Sequence, residues 1–308
     1  MKICIVGAGA IGGYLGVKLI KAGLDVSLVA RGAHLEAMKK KGLTIIENEK
    51  ETVCFPKCSE NMEELGKMDF IFITLKAYSI PGVVKEIAKM FDRNTSVITA
   101  YNGIPWWYFF NTGGQFNNYR IKCIDPDNNQ WSLITPERVI GCVVYPATEI
   151  IRPGVIKHME GNRFSLGEPS GVQSERISKI SKALISAGLK APIRNNIRKE
   201  IWTKLIGNLA FNPLSVITGE TLDVLISKKE NKDIAYEAMK EASLIMDKLQ
   251  VPLNISIDQR IDGASKVGSH KTSMLQDYER GKELELSLIH ISEPTRPLYI
   301  SYAVFCLK

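Results

Sequence analysis

The stretch Ile201-Trp202-Thr203-Lys204-Leu205-Ile206-Gly207-Asn208-Leu209-Ala210-Phe211-Asn212-Pro213-Leu214 is apolar enough for a buried helix, yet it carries Lys204, Asn208 and Asn212 at i, i+4 and i+8. That spacing stacks the three on one helical face. Burying an ammonium and two amides without partners is costly, so the row reads as the wall of a polar cleft. A solvent-facing row is the plain alternative, although such rows usually mix Glu, Lys and Gln. A lysine in a cleft can act as a general acid, because desolvation and cationic neighbours weaken its hold on the proton. Its charge also stabilises the alkoxide that forms when hydride reaches a carbonyl carbon.

A hydride must come from somewhere, and the start of the chain supplies a candidate. Gly7-Ala8-Gly9-Ala10-Ile11-Gly12 is a G-x-G-x-x-G placed directly after an apolar strand and directly before a helical pattern. Gly7 permits a tight turn, Gly9 lets the backbone approach a pyrophosphate at the helix N-terminus, and Gly12 lets helix and strand pack closely. The competing reading is a glycine-rich structural turn. The second strand then ends Val29-Ala30-Arg31, with no acid where an NAD enzyme places one for the ribose hydroxyl. A guanidinium there suits a 2′-phosphate, which favours NADPH; a solvated surface arginine is the other possibility. Lys76 and Asn102-Gly103 follow two further apolar strands, at carboxyl ends where open α/β sheets bind ligands. Either could be turn chemistry alone, but together they point to the wall of a cofactor crevice.

These residues need a scaffold, and the hydrophobic pattern outlines one. Strands are expected at 2–6, 25–30, 69–75, 96–101 and 138–144, with helices at 11–22 and 83–91. Strands alternating with helices imply a Rossmann-like, doubly wound parallel sheet. Residues 104–136 are irregular and rich in Asn, Gly, Pro and aromatics, and read as a long loop or insertion. Segments 154–158 and 163–166 look like a hairpin closing the first domain, and 167–171 like a linker. Helical periodicity follows at 174–187, 197–217, 230–249 and 257–266. The fold class expected is therefore α/β, an N-terminal NADP-binding domain over 1–168 followed by an all-helical substrate domain over 172–285.

Bulk properties agree with this plan. The chain has 308 residues, too many for one simple core, and its 45% hydrophobic and 24% charged content is ordinary for a globular protein. No apolar run is long enough for a membrane span. The N-terminus passes straight into the first strand without a signal-peptide pattern. Six cysteines are scattered, and the close pair Cys54 and Cys58 matches no common zinc spacing. A reduced, cytoplasmic protein without metal is expected. The net charge of +7, from 40 basic and 33 acidic residues, is spread thinly, which fits an anionic cofactor and substrate better than nucleic acid.

With these residues in hand, the chain resembles the ketopantoate reductase family from its first residue to about residue 285. The resemblance is carried by the glycine motif, Arg31, Thr74-Leu75-Lys76, Asn102-Gly103, the Lys204/Asn208/Asn212 helix, and Ser273-Met274-Leu275-Gln276-Asp277 with Gly281 and Glu285 beyond it. It implies reduction of 2-dehydropantoate to (R)-pantoate by NADPH, a step toward pantothenate and coenzyme A, by a monomer or homodimer. It also implies roles. Lys204 would protonate the new hydroxyl, Glu285 would orient Lys204, Asn208 and Asn212 would hold the substrate, and Ser273 would bind its carboxylate. Asn102 and Lys76 would face nicotinamide and substrate. The long 104–136 segment resembles one bacterial subgroup and leaves open a related reductase of another 2-oxo acid; a non-catalytic NADPH-binding regulator is the remaining alternative. Residues 286–308 depart from the family: they read, codon by codon, as translated sequencing adapter. A non-native tail and an incomplete helical domain are the expectation there.

Overall fold

The computed structural model of the chain describes residues 1–253, 255–265 and 268–285. The tail read as non-native lies outside the described residues. Two compact units form, Met1–Ile197 and a second beginning at Arg198.

The first unit opens β1 (Lys2–Val6), α1 (Ala10–Lys21), β2 (Asp25–Val29), α2 (Gly32–Lys41), β3 (Leu43–Glu47), β4 (Lys50–Cys54) and β5 (Lys57–Ser59). It continues β6 (Met68–Ile73), α3 (Val84–Lys89), β7 (Phe91–Thr99), β8 (Val139–Val144), β9 (Ala147–Arg152), β10 (Val155–Glu160), β11 (Phe164–Gly167) and α4 (Glu175–Ser186). Seven strands make the main sheet in the order β11-β8-β7-β6-β1-β2-β5. All neighbours in it are parallel except β11, which runs antiparallel to β8. Ile3 to Val6 of β1 are fully buried, as a strand covered on both faces must be. The strand order reverses between β1 and β6, the switch point where such sheets take ligands at their carboxyl ends. The expected doubly wound sheet is present.

A second sheet, β4-β3-β10-β9, was not read from the sequence. Asn48 and Glu49, both at positive φ, turn β3 into β4. This sheet covers the side of α1 opposite the main sheet, so α1 is buried nearly all round. Glycines make the fit: a side chain at Gly16 would meet Leu28 Cδ2 at 2.7 Å on one side, and one at Gly13 would strike Ile156 on the other. The Tyr14 ring stacks on His158 at 4.6 Å between centroids, and Glu47 binds both Lys18 (2.6 Å) and His158 Nδ1 (3.2 Å).

Two expectations need correction. Segments 154–158 and 163–166 are not a hairpin: β10 pairs with β9 and β3, whereas β11 pairs with β8 in the other sheet. The reason is burial, since all four residues of β11 are buried and β10 is half exposed. Nor is 167–171 a free linker. The 104–136 segment is irregular as expected, but it packs inward: Trp106, Trp107 and Tyr108 are buried, Trp107 Nε1 donates to Thr99 Oγ1 at 3.0 Å, and buried Asp125 accepts from the amides of Gln130 and Trp131. In the 167–171 segment the reason is again burial. Glu168 is 4% exposed and accepts from Arg176 Nε (2.9 Å), Arg176 Nη2 (2.5 Å) and Ser174 Oγ (2.5 Å), which caps α4. The same guanidinium donates to the carbonyls of Glu137 and Val139. Ile177, Ile180 and Leu184 of α4 join the core of the main sheet. The first unit therefore runs on through α4 to Ile197, whereas the sequence pattern begins the helical part at 172.

The second unit is helical: α5 (Ile197–Thr218, entered from the last residue of the first unit), α6 (Leu222–Ser227), α7 (Lys229–Lys248), α8 (Ile257–Ser265) and α9 (Ser273–Glu279). The short α6 and α9 had no visible periodicity. Met274 and Leu275 of α9 pack on Val216 of α5, with Leu284 against them. Among the described residues no helix is long and apolar enough to cross a membrane.

Removing one partner of a buried ion pair strands the other. Glu168→Ala should therefore cost about 3 kcal/mol and lower the calorimetric Tm. Lys240→Ala, at an exposed pair with Glu237, should change stability by under about 1 kcal/mol.

Candidate functional site

The site residues fall into two groups, one in each unit. In the first, the glycine motif links β1 to α1, and each glycine has a separate physical reason. Gly7 sits at φ +104°, where a side chain would also meet Leu75 Cδ2 at 2.7 Å and the Leu75 nitrogen at 3.2 Å. Gly12 faces Thr74: a Cβ there would lie 2.5 Å from Thr74 Oγ1 and strike the Gly7 carbonyl. A Cβ on Gly9 would meet nothing within 4 Å. Glycine at 7 and 12 is thus forced by the protein's own backbone, whereas at 9 the protein leaves open space. The loop is held by the amides of Gly7 and Ala8, which donate to Val29 O at 3.1 and 2.8 Å. Thr74 Oγ1 donates to Gly7 O at 2.7 Å. Sequence reasoning gave Thr74 no role; its apolar-to-polar switch at the end of β6 was the available signal.

No side chain caps α1 and no acid stands in its first turn, so its positive end keeps free capacity for an anion. Ala8, Ala10 and Ile11 complete this turn and present only backbone polar groups. Arg31 follows β2 as the residue before α2, exposed and without an ion-pair partner among the described residues. Lys76 and Asn102 lie three residues beyond Ile73 and Thr99, which are paired on adjacent strands, so both stand at the carboxyl edge. Both are half-buried. An open space at Gly9, an uncapped helix end and an arginine at the end of β2 fit a dinucleotide carrying a 2′-phosphate.

His34, in the first turn of α2, was also missed. Its Nδ1 accepts the Gly154 amide at 3.1 Å, and burial holds its pKa below the usual histidine range. Elsewhere burial pushes the Cys4 thiol up to about 12, which leaves it no nucleophilic role. Among the described residues no cluster of His, Cys, Asp and Glu could hold a metal ion.

In the second unit α5 carries the polar row. Lys204, Asn208 and Asn212 are each half-exposed, while Trp202, Leu205, Ile206, Ala210 and Phe211 around them are buried. The row thus lies on a partly open part of the helix, with Thr203 and Leu209 beside it similarly exposed. The next turn is tied to α9: Ser215 Oγ donates to Asn212 O at 2.8 Å and lies 2.6 Å from Thr272 Oγ1. Thr272 caps α9 by accepting the Leu275 amide at 3.1 Å. Ser273, the first residue of α9, is thereby left exposed beside the Asn212 turn rather than serving as the cap. Glu285 is half-buried and directly follows Leu284, whose packing against Val216, Met274 and Leu275 fixes it near the end of α5.

Gly9→Val should leave the Tm unchanged, because the space is open, but abolish dinucleotide affinity in a fluorescence titration; Gly12→Val should lower both. For His34 the sign follows from its lowered pKa. Below the ordinary value of 6.5 the unfolded chain takes up the proton first, so stability falls as pH drops through that value. Protonation also turns Nδ1 into a donor facing the Gly154 N–H. His34→Asn should flatten the Tm-against-pH profile in that window.

Comparison with known proteins agrees with the two-unit plan. The family model described as ketopantoate reductase PanE/ApbA matches residues 3–171, and its C-terminal counterpart matches residues 196–290. A 2-dehydropantoate 2-reductase of Mesorhizobium japonicum is 49% identical over 94% of this chain and 89% of its own length. A crystal structure from Ralstonia solanacearum MolK2 is 34% identical and superposes with a TM-score of 0.92, covering 99% of this chain and 96% of the other. D-mandelate dehydrogenase, solved with NADH and anilino(oxo)acetate, shares the fold at a TM-score of 0.82 with 20% identity, over 100% of this chain and 93% of its own. The chain belongs to the ketopantoate reductase family.

Proposed function

We propose that this protein is a 2-dehydropantoate 2-reductase, reducing 2-dehydropantoate to (R)-pantoate in the cytoplasm with NADPH, as a monomer or homodimer. The observation that carries the reading is the half-exposed Lys204/Asn208/Asn212 row set among the buried Trp202, Leu205, Ile206, Ala210 and Phe211, in a chain of this family. NADPH supplies the hydride that C2 of the substrate receives. The α1 N-terminus would hold the pyrophosphate of the nucleotide, and Arg31 would hold its 2′-phosphate through its guanidinium. Lys76 and Asn102 line the crevice toward the nicotinamide and the substrate.

Lys204 gives its proton to the substrate's carbonyl oxygen as the C2–H bond forms and the C=O π bond breaks, so the oxygen stays on C2 as the hydroxyl and the lysine is left neutral, to be recharged from solvent. Until that transfer its charge lowers the cost of negative charge on the oxygen. Glu285 hydrogen-bonds the same hydroxyl and orients the ammonium. Asn208 and Asn212 hold the substrate's polar groups, and Ser273 donates to its carboxylate.

A related reductase of a bulkier 2-oxo acid is the second reading, favoured by the buried aromatic segment that follows Asn102. NADPH oxidation across a panel of 2-oxo acids separates the two by kcat/KM. Lys204→Ala should lower kcat on the order of 10³-fold with NADPH binding intact; an unchanged rate would point to a nucleotide-binding regulator. Arg31→Ala should raise the KM for NADPH on the order of 10- to 100-fold and leave that for NADH nearly unchanged.

A further inference from the structure

Gly207 stands in the middle of α5, where glycine is less favourable than alanine. The reason lies in α8. A Cβ at 207 would come within 2.7 Å of Arg260 Cζ and 3.0 Å of its Nε. The guanidinium of Arg260 therefore fills the notch that the missing side chain leaves. It also stands 5.9 Å from the centroid of the buried Phe211 ring.

Helical geometry relates this notch to the polar row. Lys204, Gly207, Asn208 and Phe211 occupy i, i+3, i+4 and i+7, one continuous patch whose neighbouring Cβ positions are about 5–6 Å apart. A guanidinium seated on 207 and 211 is consequently a neighbour of 204 and 208. A 2-oxo acid is an anion of suitable shape, because its carboxylate carbon is bonded directly to the carbonyl carbon. The oxygen that takes a proton and the carboxylate that needs a cation are therefore neighbours in the substrate, as position 204 and the 207 notch that holds the Arg260 guanidinium are on the helix. A planar guanidinium matches a carboxylate by two parallel hydrogen bonds.

We propose that Arg260 is a substrate-binding residue whose guanidinium takes the carboxylate of the 2-oxo acid beside Lys204, with Gly207 as the notch that admits it. The assignment rests on the reductase reading above. A carboxylate has acceptor capacity for Ser273 as well. Selectivity for acids over neutral 2-oxo compounds is the expected consequence.

The test compares 2-dehydropantoate with its neutral amide in wild type, Arg260→Met, Arg260→Lys and Gly207→Ala. Arg260→Met should lower kcat/KM for the acid on the order of 10- to 100-fold, chiefly through KM, and leave the amide nearly unaffected. Gly207→Ala, which displaces the guanidinium, should show the same acid-selective loss, and Arg260→Lys a smaller one because it keeps charge without the fork. Equal losses on acid and amide, or none, would overturn the proposal in favour of a packing role for Arg260. Titration calorimetry of the acid against NADP⁺-loaded wild type and Arg260→Lys reads the same contrast should Arg260→Met not fold. It also separates the two claims: wild type that binds the acid through Arg260 without turning it over contradicts the reductase reading alone, whereas equal affinity in both proteins contradicts this one.

Discussion

The first unit is organised around one steric constraint, the simultaneous close approach of α1 to two sheets. A helix packed on one sheet can keep its far side polar. This one cannot, and glycine at 12, 13 and 16 is what lets its backbone reach Thr74, Ile156 and Leu28 together. Because the helix cannot shift toward either sheet without collision, its first turn is fixed relative to the ends of β1 and β6. The Thr74 hydroxyl then fastens the Gly7 carbonyl from the β6 side. A rigid anion cradle emerges from packing, before any ligand is considered.

The same constraint explains why polarity gathers at the carboxyl edge of the sheet. Strand interiors are apolar on both faces, so side chains that meet water or ligand must come after the last paired residue of each strand. Arg31, Lys76 and Asn102 all occupy such positions. The helical unit solves the equivalent problem differently. It keeps the polar row half-exposed among buried apolar neighbours on α5, and it fixes the turn beyond Asn212 through the Ser215–Thr272 contact. Precision comes in both cases from hydrogen bonds within the protein.

How much of this could be read beforehand depends on whether a signal was local. The glycine motif, the strands beginning at Lys2 and Asp25, and the spacing of Lys204, Asn208 and Asn212 depend on near neighbours and were legible. The second sheet was not, because β3 and β10 pair across more than a hundred residues and neither alternates cleanly. The supposed hairpin failed for a related reason: nearness in sequence suggested pairing, but burial sent β11 to β8. The supposed linker 167–171 misled through composition, since Gly and Pro there flank a carboxylate that is buried and saturated. His34 and Arg260 escaped notice, and Thr74 was seen without a role, because each matters only through a distant backbone or an absent side chain.

The segment after Asn102 has a bearing on how such enzymes diversify. It joins two adjacent parallel strands, β7 and β8, a crossover usually made by an α-helix lying on the sheet. Here short helical turns around buried tryptophans do that work, pinned by Trp107 to Thr99 and slotted over Gly141. A crossover with its own aromatic core is a module: descendants can lengthen, trim or repack it while the strands on either side keep their register. Since Asn102 stands at its start, three residues past the end of β7, such remodelling would reshape the surroundings of Asn102 and spare the glycine turn, so that new substrates could be explored without relearning how to hold the nucleotide.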